Sequence, residues 1–246
     1  MTSRRQAARP IVYTDGDRRC LMFSDGVIQS EMLLSDPDAL TLAYTRAIMC
    51  FVLFQPAPRH LVIVGMGGGS LVKFCLRYLP TTRITVLEID AQVIALRDDF
   101  AIPPDSARLR VVQADAAAYV PALAADVDVL VVDGFDALGQ PAALASAGFY
   151  AACCRALRPG GVIAVNLHCQ EPDYAAILQR LRLAFDGKVC RFKAIAPHNH
   201  ILFAVAPAPG ITRAHLLQRW LARTQGLGGE LNRWLARAVV ARLRRR

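Results

Sequence analysis

An acidic residue follows each of three successive apolar runs of the chain, and carboxylates at such positions can bind hydroxyl groups or accept protons. The three segments are Glu88-Ile89-Asp90, Asp115-Ala116 and Asp133-Gly134-Phe135-Asp136. A glycine-rich stretch, Gly65 to Gly69, follows the apolar run that precedes all of them. Glycines at the end of a strand permit positive φ and let a ligand approach the backbone closely.

The spacing of these segments predicts a site for an adenosine group. Glu88 stands about twenty residues after the glycines, where an acidic side chain accepts hydrogen bonds from ribose hydroxyls. Asp115 would meet the adenine amino group, and Asp133 and Asp136 would meet the reacting group. A carboxylate after a strand can also cap the next helix, so each residue taken alone has a structural interpretation. An NAD-dependent dehydrogenase would share the glycines and Glu88, but it requires neither Asp115 nor the pair Asp133 and Asp136.

The apolar runs predict the strands that position these residues. They are Leu61 to Val64, Ile84 to Leu87, Leu109 to Val112, Val127 to Val132, Val162 to Val165, Lys188 to Ile195 and Ile201 to Ala206. Continuously apolar runs are typical of a mostly parallel sheet that is buried on both faces. The first five leave room for crossover helices, and the last two predict an antiparallel hairpin. We therefore predict a doubly wound α/β fold with a seven-stranded, mostly parallel sheet, as in class I methyltransferase-like (Rossmann-like) proteins.

Two further segments flank this sheet and give the boundaries 1–35, 36–210 and 211–246. Residues 11 to 34 alternate polar and apolar positions around two Asp-Gly turns, which predicts a small antiparallel β appendage. A long helix is predicted from Ala39 to Phe54, and Lys73 and Arg77 are expected to face outward from the helix after the glycines. The last segment predicts two basic amphipathic helices, whose Trp and Leu faces are expected to pack on the body or on another subunit.

Charge and hydropathy restrict the class of protein. The net charge of +9 is concentrated in residues 211–246, which hold nine Arg and one Glu, so the rest of the chain is nearly neutral. A nearly neutral body does not predict a nucleic-acid-binding core. The longest apolar run, Ala47 to Phe54, is far shorter than the roughly 20 residues that cross a bilayer, and no secretory signal is evident. We expect a cytoplasmic protein without a membrane span.

In their order and spacing, these motifs resemble those of the spermidine synthase family of polyamine aminopropyltransferases, over roughly Cys20 to Leu167. The matching segments are the N-terminal β segment Leu21 to Gln29, the glycine turn Gly65 to Gly69, the acidic strand end Glu88 to Asp90, the pair Asp115-Ala116 and the loop Asp133 to Asp136. No single motif is decisive, but their shared order is specific.

The resemblance implies transfer of an aminopropyl group from decarboxylated S-adenosylmethionine to a small-molecule amine, with no metal. Asp133 matches the family's catalytic aspartate, which can receive the proton of the amine. Asp136 and Tyr44 match residues that bind or orient the acceptor, and Arg46 and Asn166 stand at substrate-side positions. The donor-binding residues implied by the resemblance are Gln29, Gly65, Gly67, Gly69, Glu88, Asp90, Asp115 and Ala116. The resemblance also suggests a homodimer.

Departures from the family pattern leave the donor open. Gly68 replaces the aspartate of the family's glycine turn, Arg46 stands where the family has Glu, and Asn166 replaces a glutamine. Two anionic contacts are lost, which would favour intact S-adenosylmethionine as the donor and methyl transfer to a small molecule as the reaction. A non-catalytic nucleoside-binding or interaction protein is the third hypothesis.

Two remaining features carry weaker hypotheses. The arginines from Arg242 to Arg246 leave open a contact with nucleic acid or with an anionic membrane. His198 and His200 lie between the last two predicted strands, and His168 lies just past the fifth, near Cys169. The spacing fixes no third ligand, so we predict no metal site and expect these histidines in the turn or near the acceptor.

Overall fold

The computed structural model describes residues 9–23, 26, 28–135, 139–187, 189–192, 198–223 and 229–245, with no side chains described between 221 and 232. Asp136, which the sequence places in the substrate site, lies outside these residues.

The N-terminal appendage is a three-stranded antiparallel sheet of β1 (Ile11–Asp15), β2 (Arg18–Met22) and β3 (Ile28–Leu33), in the order β1-β2-β3. The turn between β1 and β2 contains Gly16 at a φ of +55°, as the first Asp-Gly pair predicts. The Asp of the second pair lies outside the described residues. Leu21 and Met32 are buried and join this sheet to the main core.

The helix predicted from Ala39 to Phe54 is wrong in its length. An α-helix, α1, spans only Ala43–Ile48, and a 3-10 helix continues from Met49–Leu53. The residues before α1 make hydrogen bonds that are not helical. Thr41 Oγ1 donates to the Glu31 carbonyl at 3.0 Å. The Arg46 guanidinium donates to the carbonyls of Leu40 and Thr41, which holds this segment in an extended path.

The main sheet has the seven strands that the apolar runs predict. They are β4 (His60–Val64), β5 (Arg83–Glu88), β6 (Leu109–Gln113), β7 (Val127–Val132), β8 (Leu157–His168), β9 (Val189–Phe192) and β10 (Asn199–Val205). Their order is β6-β5-β4-β7-β8-β10-β9. Strands β4 to β8 pair in parallel, and β10 pairs antiparallel with both β8 and β9. The predicted fold class is therefore confirmed.

Helices connect the parallel strands and cover both faces of the sheet. They are α2 (Ser70–Tyr78), α3 (Ala91–Ala95), α4 (Ala116–Tyr119), α5 (Ala147–Ala156) and α6 (Tyr174–Ala184). One core layer packs α1 and α2 on the sheet around Phe51 and Phe74, and the other packs α5 and α6 around Tyr150. The strand side chains alternate between the two layers, because successive residues of a strand point to opposite faces.

The expectation that Lys73 faces outward is wrong. Its side chain is only 3% exposed and its ammonium donates to the Phe100 carbonyl at 2.6 Å. The Lys73 Nζ also lies 2.9 Å from the Met32 sulfur of the appendage. Burial lowers the pKa of Lys73 to about 8. The Phe100 carbonyl and the Met32 sulfur thus accept hydrogen bonds from the buried ammonium, whereas Arg77, one turn later, pairs at the surface with Asp38.

The basic tail forms the two predicted helices, α7 (Arg213–Arg223) and α8 (Gly229–Arg244). Helix α8 packs on α1 and on the following 3-10 helix through Ala236, Val239, Val240 and Leu243. Trp220 and Trp234 are 56% and 66% exposed, so the tryptophans do not pack on the body, whereas Leu217 and Leu235 do. Packing of the tryptophans on another subunit stays a prediction. Small and branched side chains can approach α1 closely, and they form the contact instead. No helix in the described ranges has the length and apolar character of a membrane span.

Candidate active site

The glycine turn after β4 requires glycine for a specific steric reason. Gly65 has a φ of +90°, and a Cβ at this position would lie 2.4 Å from the Asp133 carbonyl oxygen. Gly69, at a φ of +65°, directly precedes α2, and a Cβ there would lie 2.5 Å from the Ile102 side chain. The turn therefore brings the ends of β4 and β7 together, and the amino end of α2 follows it directly. Such a helix end favours the negative or electron-rich groups of a ligand.

Glu88, the residue predicted to bind ribose, lies directly beside this turn. Its Oε2 accepts a hydrogen bond from the Met66 backbone N–H at 2.8 Å, and its Oε1 accepts one from the Asp90 N–H at 2.9 Å. The side chain is 9% exposed. The two backbone bonds fix the carboxylate at the carboxyl end of β5, and each oxygen retains a second lone pair for a ligand.

Asp90 and Asp115 both cap the helix that follows their strand. Asp90 Oδ1 accepts from the Gln92 N–H and Asp115 Oδ1 accepts from the Ala117 N–H, each at 2.8 Å. The capping interpretation is therefore correct for one oxygen of each carboxylate. Ala116 is buried at the start of α4. The role of these residues in binding the donor stays a prediction.

The carboxylate of Asp133 is held between a tyrosine and a carboxamide at the end of β7. Asn166 Nδ2 donates to Asp133 Oδ1 at 2.8 Å, and the Tyr44 hydroxyl hydrogen-bonds the same carboxyl group. Burial raises the pKa of Asp133 to about 7, although both hydrogen bonds lower it. Burial raises the pKa of Tyr44 well above its usual value, and the neighbouring Asp133 raises it further. The structure thus brings together Tyr44, Asp133 and Asn166, three residues that the sequence placed in one site.

The side-chain carboxamide of Asn166 is hydrogen-bonded in turn by the carboxamide of Asn199. Asn199 Nδ2, at the start of β10, donates to Asn166 Oδ1 at 3.0 Å. This contact was not predicted, because its detection requires the register in which Asn199 pairs with His168 and Ile201 with Asn166. The cluster of polar residues between the last two predicted strands was the only sequence signal.

Two histidines lie beside this carboxamide pair. The rings of His168 and His198 have centroids 5.2 Å apart, and the Cys169 N–H donates to the His198 carbonyl at 2.6 Å. His200 Nδ1 lies 2.8 Å from the Tyr174 hydroxyl. In the part of the chain that the structure describes, no group of three His, Cys, Asp or Glu side chains is arranged to hold a metal ion.

Strand β3 lies against the glycine turn. The Ser30 hydroxyl would be 3.7 Å from a Cβ at Gly67 and 2.8 Å from one at Gly68, and the Phe100 ring would also be 2.8 Å from the latter. Position 68 therefore cannot carry a side chain unless both Phe100 and Ser30 move. Gln29 precedes Ser30 in β3 and is partly buried. The sequence predicted Gln29 here but missed Ser30 and Phe100, because neither belongs to a motif.

Arg46 directs its guanidinium at the Leu40 and Thr41 carbonyls. Burial lowers its pKa, and Arg237 of α8 lowers it further. Its guanidinium hydrogen bonds therefore lie with the segment before α1, and the tail helix brings a like charge toward it. A role in binding substrate stays a prediction.

Comparisons with known proteins agree on one family. A family model described as the spermine/spermidine synthase domain matches residues 41–198. A polyamine aminopropyltransferase from Chromobacterium violaceum is 35% identical over 219 residues, which cover 89% of this chain and 84% of that protein. Putrescine N-methyltransferase 2 from Nicotiana tabacum is 34% identical over 155 residues, which cover 59% of this chain and 44% of the relative. A probable spermidine synthase from Corynebacterium glutamicum superimposes with a TM-score of 0.71 at 21% identity, over 92% of this chain and 90% of that one.

Proposed function

The chain belongs to the spermine/spermidine synthase family, and from this premise we propose that it transfers an aminopropyl group from decarboxylated S-adenosylmethionine to a small-molecule amine. The observation that carries the proposal is the Asp133 carboxyl group, which lies at the carboxyl end of β7 between Tyr44 and Asn166. The relative from Chromobacterium violaceum is named a polyamine aminopropyltransferase.

In the proposed reaction, the acceptor nitrogen attacks the propyl carbon bonded to the sulfonium. The new C–N bond forms as the C–S bond breaks, and the electron pair of that bond returns to sulfur to give methylthioadenosine. The acceptor must first lose a proton, because an ammonium nitrogen has no lone pair. Asp133 receives this proton, and its raised pKa makes it a stronger base than an exposed aspartate. Alignment of the two reactants in the crevice supplies much of the remaining rate enhancement.

The donor would bind along the glycine turn. Glu88 would accept hydrogen bonds from the ribose hydroxyls, since its carboxylate is already fixed beside the turn. Asp115 would accept a hydrogen bond from the adenine amino group through the oxygen that does not cap α4. The remaining members of the proposed donor site are Gln29, Gly65, Gly67, Gly69, Asp90 and Ala116.

The acceptor would bind on the other side of Asp133. Tyr44 and Asn166 would orient its nitrogen, because both contact the carboxyl group that takes the proton. Asp136 would bind a second ammonium of the acceptor, by its match to the family motif. We further propose a cytoplasmic location and a homodimer. A contact between the tail arginines and nucleic acid or an anionic membrane is a secondary hypothesis.

Methyl transfer from intact S-adenosylmethionine is the second candidate, and the crowding at Gly68 favours it. The aspartate that the family carries at this position cannot be accommodated beside Phe100 and Ser30 in their present places. Without that carboxylate, the donor's ammonium has one anionic contact fewer. The tobacco relative is named a putrescine N-methyltransferase, and methyl transfer to an amine would need the same proton acceptor.

Calorimetric titration of the purified protein with decarboxylated S-adenosylmethionine, S-adenosylmethionine and methylthioadenosine tests the donor site. Tighter binding of the decarboxylated donor supports aminopropyl transfer. Tighter binding of the intact donor supports methyl transfer, and binding without turnover of either donor supports the non-catalytic hypothesis. Failure to bind any of the three would contradict the adenosine site itself.

A further inference from the structure

We infer that Asn199 is a positioning residue for Asp133, and that it acts by fixing the orientation of the Asn166 carboxamide. The inference rests on the proposed role of Asp133 as proton acceptor. The geometry is a chain of two hydrogen bonds, from Asn199 Nδ2 to Asn166 Oδ1 at 3.0 Å and from Asn166 Nδ2 to Asp133 Oδ1 at 2.8 Å.

A carboxamide has one end that accepts hydrogen bonds and one end that donates them. The Asn199 amino group can donate only to an oxygen, so it holds Oδ1 of Asn166 toward β10. The Nδ2 end of Asn166 must then face Asp133. Asn166 is 2% exposed, so water does not compete freely for either end. The first residue of β10 therefore determines which end of Asn166 meets the carboxyl group on β7.

The orientation matters because it selects a protonation state. An amino group that faces Asp133 stabilises the ionised carboxylate, whereas an amide oxygen in the same place would repel it and stabilise the protonated acid. Among the described residues, the groups that influence the Asp133 carboxyl are Asn166 from β8 and Tyr44 from α1, and Tyr44 is the titratable one. Asn199 thus keeps Asp133 able to accept a proton in spite of its burial.

The test reverses the direction of the hydrogen bond between residues 199 and 166, so that residue 199 accepts it instead of donating it. Asn199→Asp preserves shape but offers only acceptors when ionised, so Asn166 must turn its amino group toward residue 199 and its oxygen toward Asp133. The new charge at 199 also acts directly on Asp133 through space. The same substitution in an Asn166→Leu background isolates that direct effect, because leucine cannot relay a hydrogen bond.

The readout is the pKa of Asp133, followed by carboxyl ¹³C NMR and identified by the signal lost in Asp133→Asn. We expect Asn199→Asp to raise this pKa by about one unit, a tenfold change in proton affinity, when Asn166 is present. In the Asn166→Leu background we expect a markedly smaller rise. His200→Gln is the control in the same strand, because it changes a side chain that contacts the Tyr174 hydroxyl on α6.

The pH profile of turnover gives the second readout. Where the wild-type protein transfers an aminopropyl group, the acidic limb of kcat/KM should move to higher pH in Asn199→Asp by the same amount as the Asp133 pKa. Equal pKa rises in the two backgrounds would overturn the positioning role of Asn199. A pKa rise that depends on Asn166, in a protein that turns over neither donor, would support the positioning role and contradict the proposed function instead.

Discussion

Asn166 donates a 2.8 Å hydrogen bond from its side-chain nitrogen to Oδ1 of Asp133, across the neighbouring parallel strands β8 and β7. Burial and hydrogen bonding act on this carboxyl group in opposite directions. Burial disfavours the charged form, while the Asn166 amide and the Tyr44 hydroxyl favour it, and the pKa of Asp133 is about 7 as a result. A carboxyl group with this pKa is substantially ionised at neutral pH and still accepts a proton more readily than an exposed aspartate.

Replacement of Asp133 by asparagine should remove the proton acceptor and keep the shape of the site. We expect aminopropyl transfer to fall by at least about a hundredfold, the lower end of the effect of an acid–base group. Donor affinity, measured by calorimetry, should change little. Asp126→Asn is the matched control, since Asp126 precedes β7 at its other end and is 54% exposed. Unchanged turnover in Asp133→Asn would remove Asp133 from its proposed role.

The same variant should change the pH dependence of stability. The native pKa of Asp133 is raised from 3.8 to about 7, so between these values the native protein holds a proton that the unfolded chain has lost. Asp133 therefore destabilises the fold increasingly as pH rises from about 4 to 7, by at most about 4 kcal/mol.

Asp133→Asn carries no such titration, so its melting temperature should exceed that of the wild type most clearly at pH 8 and little at pH 4. Thermal melts of both proteins across this range measure the difference. A difference that does not grow with pH would contradict the raised pKa.

Two glycines in one turn provide a matched pair of substitutions. Gly65→Ala places a Cβ 2.4 Å from the Asp133 carbonyl oxygen, whereas Gly67→Ala finds no atom nearer than 3.7 Å. Both positions have positive φ, which costs an alanine about 1–2 kcal/mol. Gly65→Ala should therefore lower the melting temperature distinctly more than Gly67→Ala, and it should also weaken donor binding. Equal effects of the two substitutions would show that the close approach of β4 and β7 is not required.

Burial of Lys73 predicts a stability change at alkaline pH. Its native pKa is about 8, against 10.5 for a free lysine, so between these values the unfolded chain binds the extra proton. Stability should rise with pH across this range by at most about 3 kcal/mol on account of Lys73. Lys73→Met should lose that dependence, and Arg77→Met, on the exposed side of the same helix, should retain it. Denaturant melts of the three proteins at pH 8 and pH 10 make the comparison.

The sequence predicts the fold well because the main sheet is built from continuous apolar runs. Each run from Leu61 to Val132 became a parallel strand. The runs are buried in β4, β5 and β7, whereas β6 lies at the edge of the sheet and is partly exposed. The acidic residues after these strands reached one edge of the sheet. This edge is set by topology alone, since parallel strands end on the same side. The proximity of Glu88 to the glycine turn follows directly.

Other features depend on tertiary contacts that no local pattern contains. Lys73 is buried because the Phe100 carbonyl happens to lie within reach of its ammonium, and α1 begins late because Thr41 and Arg46 bond to other backbone groups. Asn199 reaches Asn166 only through the register of an antiparallel pair. The sequence shows that Gly68 stands where the family has an aspartate. That Phe100 leaves no room for a side chain at this position is visible only in the packing of the structure.

The most direct test of aminopropyl transfer is to identify the nucleoside product. The purified protein is incubated with a panel of diamines and either decarboxylated or intact S-adenosylmethionine, and the products are separated by chromatography and mass spectrometry. We predict methylthioadenosine and an aminopropylated amine from the decarboxylated donor, both lost in Asp133→Asn. Formation of S-adenosylhomocysteine and a methylated amine from the intact donor, with no methylthioadenosine from the other, would contradict the proposal.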